Sequence, residues 1–298
     1  MGFETRLANR LRRYRTSEIG PPKGSGVVQP GCLHLMIGAR TPRLPPMTGW
    51  AVVTGASGGL GAGFARELAR QGANLILVAR SADKLETLAA ELRTAHQIQV
   101  ETWPCDLTNR GARAVLAADL ASREIHTLVN NAGFGSIGDF TDLPPERIAA
   151  EVELNVVALT ELARVALPGM KQRGRGAVIN IASTGAFQPI PGFSTYAATK
   201  AYVLRLSIGL WTELHDSGVR VLAVCPGPTE TGFFATAGND QVMQQRRSVD
   251  QVVASAFRAL RRHRPYVVDG VGNTILAEAT RLMPTRWASK VAGWVASR

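Results

Sequence analysis

From residue 50 onward, short apolar runs alternate with longer amphipathic stretches, and this alternation constrains the fold more than any other feature. The runs are continuously hydrophobic, as expected of parallel strands that are covered on both faces. The intervening stretches repeat apolar residues at helical spacing. Strands and helices in regular alternation predict one α/β domain, with a doubly wound parallel sheet and helices on both faces.

The pattern predicts a sheet of about seven strands. Five strands are expected at 50–54, 74–79, 126–130, 177–182 and 219–224, with two more at 99–104 and 265–269. Helices are expected at 60–71, 81–95, 109–121, 145–172, 195–216 and 248–262. The two long loops, 183–194 and 226–247, follow strand ends, where open α/β sheets bind their ligands.

The net charge of +11 could indicate a nucleic acid or an anionic surface as partner, but much of it precedes the predicted domain. Residues 1–46 carry eight Lys and Arg against two Glu, with six prolines and no sustained period. We interpret them as a disordered extension: a solvated tail, or upstream sequence with Met47 opening the functional chain. A basic arm that binds an acidic partner is the alternative. Nucleic acid is not expected as partner, since few aromatic residues accompany these charges.

Cysteine and histidine usage argues against disulfides and catalytic metals. The three cysteines are odd in number and far apart, and the five histidines show no ligand spacing. No apolar run approaches the roughly 20 residues of a membrane-spanning helix. The simplest expectation is a cytoplasmic protein without a catalytic metal.

The first predicted strand leads directly into TGASGGLG, residues 54–61, and then into a helix. Glycines at 55, 59 and 61 allow a tight turn, a close backbone approach to a pyrophosphate and close contact between helix and strand. The start of the helix offers free N–H groups to the anion. This segment predicts a dinucleotide site, with a purely structural turn as the alternative.

Six motifs in order resemble the short-chain dehydrogenase/reductase family, which implies a Rossmann-like domain over residues 47–270. They are TGASGGLG, CDL with Asp106, NNAG at 130–133, LNVVA with Asn155, Ser183 followed by YAATK, and PGPTET at 226–231. The resemblance implies catalytic roles for Asn155, Ser183, Tyr196 and Lys200. Together with the second strand's end, it implies cofactor contacts for Gly55, Ser57, Gly58, Gly59, Leu60, Gly61, Arg80, Asp106, Leu107, Asn131, Ala132, Gly133, Tyr196, Lys200, Pro226, Gly227, Thr229 and Thr231.

The residue types also make chemical sense by themselves. Tyr196 and Lys200 lie four residues apart on a predicted helix and therefore share one face. A nearby ammonium stabilises a phenolate, so we expect Lys200 to lower the pKa of Tyr196 toward working pH. Ser183 can donate a hydrogen bond to the substrate oxygen. By resemblance, Lys200 also binds the nicotinamide ribose and Asn155 supports a proton relay.

The end of the second strand, LILVARSADK, bears on the choice of cofactor. Enzymes that use NAD place an acid there for the ribose 2′-OH, whereas those that use NADP tend to place an arginine. The first acid is Asp83, already inside the next helix, and Arg80 is available for a 2′-phosphate. NADP(H) is therefore the preferred cofactor, with NAD(H) as the alternative.

Aromatic residues on the loops suggest an apolar carbonyl or alcohol as substrate. They are Phe134, Phe187, Phe193, Phe233 and Phe234, together with Ile190. We predict a carbonyl–alcohol oxidoreductase; a catalytically silent dinucleotide-binding scaffold or sensor is the alternative.

Residues 271–298 form a C-terminal amphipathic helical appendage, divided by Pro284. Its second part, 285–298, places an apolar face beside Arg286, Lys290 and Arg298, and this face contacts either the domain, a partner subunit or an anionic membrane surface. By resemblance, a homodimer or homotetramer forms through the helices at 145–172 and 195–216.

Overall fold

The computed structural model describes residues 49–238, 246–284, 286, 287 and 289. Expectations for residues 1–46, and most of those for 285–298, therefore lie outside the described residues. In the described part, seven parallel strands form one sheet in the order β3-β2-β1-β4-β5-β6-β7. The strands are β1 Trp50–Thr54, β2 Asn74–Ala79, β3 Val100–Pro104, β4 Ile125–Asn130, β5 Gly176–Ile181, β6 Val219–Cys225 and β7 Tyr266–Val268.

Helices connect the strands, as the alternation predicts. They are α1 Gly59–Arg70, α2 Ala82–His96, α3 Arg110–Ala121, α4 Pro145–Val152, α5 Leu159–Gln172, α6 Ser194–Glu213, α7 Phe233–Ala237, α8 Val249–Arg261 and α9 Val271–Leu282. A single π-helical turn, Glu153–Ala158, joins α4 to α5, and a short 3₁₀ segment covers Thr184–Phe187. The predicted doubly wound α/β fold is confirmed.

The core lies on both faces of the sheet. On one face, Phe64 and Leu68 of α1 pack with Phe257 of α8 against alternate residues of the strands. On the other face, Leu116 of α3 and Leu162 of α5 cover the residues in between. Burial on both faces explains why the strands read as continuous apolar runs rather than as an alternating pattern.

The order of the strands determines where a functional site can form. The chain order reverses at β1 and β4, which are neighbours, and a crevice forms at the carboxyl ends of strands where the order reverses in this way. Helix α9 is attached to the domain: Ala277 is buried, and the Tyr266 hydroxyl donates a hydrogen bond to Glu278 at 2.8 Å. In the described residues, no helix is both long and apolar enough to span a membrane.

Candidate active site

A cavity of about 860 Å³ opens at the carboxyl edge of the sheet. Its walls come from the segments that follow six of the strands, β1 to β6. All the predicted cofactor contacts line it except Gly61. A Cβ on Gly61 would lie 2.2 Å from the carbonyl oxygen of Gly55, so this glycine allows helix α1 to approach the turn rather than contacting a ligand.

The glycine-rich turn is fixed by the segment that follows β4. Thr54 Oγ1 accepts hydrogen bonds from the backbone N–H of Asn131 at 2.9 Å and of Ala132 at 3.0 Å. The Asn131 side chain donates to the carbonyl of Thr54 at 2.9 Å. Gly55 has φ +65°, where glycine is favoured, and a Cβ there would lie 2.7 Å from Asn131 Nδ2. The two motifs therefore form one rigid wall.

The far end of the cavity carries both charge signs. Asp106 Oδ1 accepts hydrogen bonds from the backbone N–H and the hydroxyl of Thr108, at 2.9 and 2.7 Å, and these bonds hold its pKa below the ordinary value. Arg80 is exposed at the cavity wall beside Lys84, which the sequence analysis missed. Lys84 lies in the first turn of α2, only four residues after Arg80, and this short separation was the signal that could have revealed it.

Three of the four predicted catalytic residues meet at the inner end of the cavity. Ser183, Tyr196 and Lys200 all line it, although Tyr196 is only 8% exposed and Lys200 only 4%. The Lys200 ammonium donates a hydrogen bond to the carbonyl of Ile181 at 2.7 Å and lies 5.7 Å from the centroid of the Tyr196 ring. The i,i+4 spacing on helix α6 thus brings the two side chains to one place.

Asn155 lies behind this group, in the π-helical turn. Its side chain accepts a hydrogen bond from the N–H of Phe134 at 3.1 Å and donates to the carbonyl of Phe134 at 2.8 Å and to Thr199 Oγ1 at 3.0 Å. It does not line the cavity. A Cβ on Gly133 would lie 2.8 Å from Asn155 Oδ1 and 3.3 Å from Lys200 Nζ, which places the amide and the ammonium around one glycine.

The electrostatics differ from the sequence expectation. Burial raises the pKa of the Tyr196 phenol above its ordinary value, and only the neighbouring Ser183 hydroxyl acts in the opposite direction. Burial also lowers the pKa of Lys200 to about 8. In this geometry the ammonium is directed at the Ile181 carbonyl rather than at the phenol oxygen. The expected stabilisation of the phenolate by Lys200 is therefore outweighed by desolvation of both groups.

A buried carboxyl group beside the site went unnoticed in the sequence. Glu151 in α4 is 0% exposed, and neither of its oxygens has a hydrogen-bond partner of standard geometry in the described residues. Burial raises its pKa, and the Ser136 hydroxyl and the charges of Arg147 and Lys200 only partly offset this. Its negative charge in turn raises the pKa values of both Tyr196 and Lys200. An acid in an amphipathic helix is usually exposed, which is why the pattern did not reveal it.

Aromatic side chains form the wall around Tyr196. The ring of Phe193 stacks on it with centroids 4.4 Å apart, and the ring of Phe233 lies at 5.2 Å. Phe134 and Ile190 also line the cavity. Phe187 was wrongly assigned to this wall: it packs in a separate core cluster, with its ring 6.0 Å from that of Tyr266. The side chain of Phe234 is outside the described residues.

Comparison with known proteins agrees with this geometry. The sequence model of the short chain dehydrogenase family matches residues 49–242. The chain belongs to the short-chain dehydrogenase/reductase family. This confirms the resemblance seen in the motifs and makes the chain a member of a family of oxidoreductases.

The chain is also similar in sequence or structure to individual proteins of the family. A short-chain dehydrogenase from Sphingobium yanoikuyae, solved in complex with NADPH, is 37% identical with a TM-score of 0.73, covering 79% of this chain and 94% of that one. The 17-beta-hydroxysteroid dehydrogenase type 3 of Danio rerio is 30% identical over 242 residues, 79% of this chain and 77% of the relative.

The very-long-chain 3-oxoacyl-CoA reductase of Bos taurus is 35% identical over 181 residues, which is 59% of this chain and 58% of the relative. The present chain therefore spans less than two thirds of the length of this reductase.

Proposed function

We propose that this protein is an NADP(H)-dependent oxidoreductase that interconverts a carbonyl and an alcohol on a lipophilic substrate. One observation carries the proposal: a buried Tyr–Lys pair and Ser183 lie in the same cavity as a glycine-rich turn at the start of a helix. A helix start next to glycines suits a pyrophosphate, and a phenol beside a hydroxyl suits proton transfer to a carbonyl oxygen.

The cavity fits a nicotinamide dinucleotide. Its volume of about 860 Å³ suits a ligand of this size. Gly55, Gly59 and the helix start would hold the pyrophosphate, Asp106 the adenine end, and Lys200 the nicotinamide ribose. When bound, the cofactor supplies or accepts a hydride at the substrate carbon.

The side chains account for the proton. In the reducing direction, Tyr196 donates its hydroxyl proton to the substrate oxygen, while Ser183 donates a hydrogen bond that keeps this oxygen in place. Lys200 then returns a proton toward the phenolate, and Asn155 fixes the backbone beside it through its two bonds to Phe134. In the oxidising direction the same groups move the proton the other way.

The charge at the far end of the cavity supports the preference for NADP(H). Arg80 and Lys84 are two cations beside the expected position of the ribose 2′-substituent. A 2′-phosphate gains charge-assisted hydrogen bonds there that a 2′-hydroxyl cannot make to the same extent. The relative from Sphingobium yanoikuyae, solved with NADPH, agrees with this preference.

The wall around Tyr196 supports an apolar substrate, since Phe134, Phe193, Phe233 and Ile190 surround the reacting position. Two relatives named for 3-oxoacyl-CoA and for 17-beta-hydroxysteroid point to the same class. We expect a homodimer or homotetramer to form through the helices over residues 145–172, which are α4 and α5, and over residues 195–216, which correspond to α6.

The test compares Tyr196→Phe with Tyr202→Phe, an exposed tyrosine on the same helix. NADPH and NADH oxidation would be followed with 3-oxoacyl-CoA thioesters, ketosteroids and small polar carbonyls. Loss of the Tyr196 hydroxyl is expected to reduce kcat by about a hundredfold to ten-thousandfold while NADPH still binds. Tyr202→Phe should keep its activity.

Full turnover in Tyr196→Phe would refute the proton-transfer role. Faster reaction of the small polar carbonyls would refute the lipophilic substrate.

A further inference from the structure

A second cavity, of about 960 Å³, lies at the edge of the sheet opposite the active site. Arg220 is the second residue of β6 and Pro265 immediately precedes β7, so this is the edge where the strands begin. Eight residues line the cavity, and six of them are basic: Arg220, Arg258, Arg261, Arg262, His263 and Arg264, with Trp211 and Pro265. We call it the basic cavity.

The fold holds these cations together at the end of α8. Arg220 reaches across from β6 and donates a hydrogen bond to the carbonyl of Leu260 at 3.0 Å. The indole N–H of Trp211, at the end of α6, donates to the carbonyl of His263 at 3.0 Å. The backbone of the turn after α8 is thereby fixed to two other elements, and the arginines before and after His263 extend from a rigid base.

The turn itself carries an unusual residue. His263 has φ +52°, in the left-handed region where the residue after a helix is most often glycine. Its ring stacks on that of His215, with centroids 5.0 Å apart and an interplanar angle of 8°, and lies 5.7 Å from Trp211. The two histidines lie 48 residues apart in the chain, so their spacing does not indicate this contact.

In the described part of the chain, no carboxylate forms an ion pair with the arginines of the basic cavity. Arg258, Arg261, Arg262 and Arg264 form no ion pair there, and neither do Glu213 and Asp216 beside His215. The charge of Arg261 helps to lower the pKa of Glu67, but this carboxylate already accepts hydrogen bonds from Nε and Nη2 of Arg70, at 2.8 and 2.7 Å. The dipole of α8 offers only about half a negative charge at its end. Five guanidinium groups exceed what this helix end requires.

We propose that the basic cavity binds a small anion carrying two or more phosphate groups. Guanidinium groups bind phosphate oxygens through pairs of parallel hydrogen bonds, and several arginines around one cavity suit several phosphates. The basic residues surround one compact site at the end of α8, which favours a small ligand over the extended strip that a nucleic acid requires. Helix α6 joins both edges of the sheet, with Lys200 near its start and Trp211 near its end.

The probe is inorganic tripolyphosphate, titrated calorimetrically at low ionic strength into the full chain saturated with NADPH, which fills the pyrophosphate site of the cofactor cavity. Binding at a single site is expected, and Arg258→Gln/Arg262→Gln should weaken it by about tenfold or more. Two controls also remove two cations each. Arg80→Gln/Lys84→Gln alters the cofactor cavity, and Arg110→Gln/Arg164→Gln alters the exposed surface; neither should change the affinity of this site.

Failure of tripolyphosphate to bind, or equal weakening in all three variants, would overturn the proposal. A second variant guards against misfolding: His263→Gly relieves the strained backbone, so its unfolding temperature should be retained or raised while affinity falls. Unchanged affinity in His263→Gly and in Arg258→Gln/Arg262→Gln would also count against the site. Vesicles of phosphatidylcholine with phosphatidic acid test the other source of phosphate; binding to them without binding of tripolyphosphate would refute a small-anion site.

Discussion

Burial shifts the pKa values of Tyr196 and Lys200 in opposite directions, although the two residues share one turn of helix α6. Both shifts favour the neutral form, since desolvation penalises phenolate and ammonium alike. The phenol is thus kept as a proton donor, which suits reduction. The lysine, with a pKa of about 8, is the group whose charge changes within the usual assay range.

We predict that kcat/KM for reduction falls as pH rises through about 8, because Lys200 is charged below that pH and neutral above it. The variant Lys200→Arg should lose activity overall but show no such decline up to pH 10, since a guanidinium stays protonated. Lys171→Arg, at an exposed position of α5, is the matched control and should keep the native profile. If kcat/KM of Lys200→Arg declined over the same pH range, the decline would belong to a group other than Lys200.

The burial of Glu151 leads to a prediction about the pH dependence of stability. Its pKa is raised by burial, so the folded protein binds this proton more tightly than the unfolded chain, and stability decreases as pH rises through the carboxyl range. Glu151→Gln should therefore increase the free energy of unfolding at pH 7 and have little effect below pH about 4. Denaturant titrations at the two pH values measure this.

The same substitution should also affect catalysis. The Glu151 charge raises the pKa of Lys200, so Glu151→Gln should move the decline in kcat/KM to lower pH. Glu146→Gln, in the same helix, is the control. A more stable variant with an unchanged pH profile would make Glu151 a structural residue only.

Among the elements, α3 connects the cofactor end of the cavity with the π-helical turn. The guanidinium of Arg113, 1% exposed, donates to the carbonyl of Leu107 at 2.6 Å, to Glu153 at 2.6 Å and to Glu161 at 2.5 Å. Leu107 lines the cavity, and Glu153 begins the turn that contains Asn155. One buried side chain thus ties two parts of the site to the same helix.

Arg113→Met should lower the free energy of unfolding by about 1–3 kcal/mol, chiefly because it leaves the buried carbonyl of Leu107 without its donor. The carboxylates of Glu153 and Glu161 are partly exposed and regain water. The substitution should also raise the KM for the cofactor more than it changes kcat. Glu161→Gln is the control: this carboxylate is 45% exposed, so its loss should cost about 1 kcal/mol or less. Similar losses in both variants would show that the contact with Glu161 alone accounts for the effect of Arg113.

The bounds of the strands were predictable to within about a residue, because each strand is a continuous apolar run with polar or turn residues on either side. The seven strands and the six predicted helical segments lie where the pattern places them, although the segment 145–172 contains two helices, α4 and α5. The π-helical turn was not predictable, because the apolar residues of 145–172 keep helical spacing. The one extra residue of a π-helical turn does not visibly change that spacing. The turn is nevertheless what directs Asn155 toward Phe134 and Thr199.

Residues that depend on tertiary contacts were the ones missed. Lys84, Glu151 and the stacked pair His215 and His263 acquire their environment from segments distant in sequence. The prediction that Phe187 lines the cavity was wrong because the position of a residue in a loop predicts neither the direction of its side chain nor its contacts. Local motifs identify groups that contact one shared cofactor, whereas a buried charge is recognised only once its neighbours are known.

At the scale of the whole molecule, a ligand that binds only the folded chain stabilises it according to its concentration relative to Kd. At a hundredfold excess over Kd, NADPH should add about 2.7 kcal/mol and raise Tm by about 5–10 °C for a domain of this size. NADH at the same concentration should raise Tm less, because only NADPH carries the ribose 2′-phosphate that Arg80 and Lys84 are expected to bind.

Differential scanning fluorimetry on the wild type and Arg80→Gln/Lys84→Gln measures this difference. The variant should respond to NADPH only as strongly as the wild type responds to NADH, and Arg110→Gln/Arg164→Gln should behave like the wild type. Tripolyphosphate, which we expect to bind at the other edge of the sheet, should still stabilise the Arg80→Gln/Lys84→Gln variant. Equal responses of the wild type to both cofactors would contradict the assigned phosphate contact, because the two ligands differ only in that group.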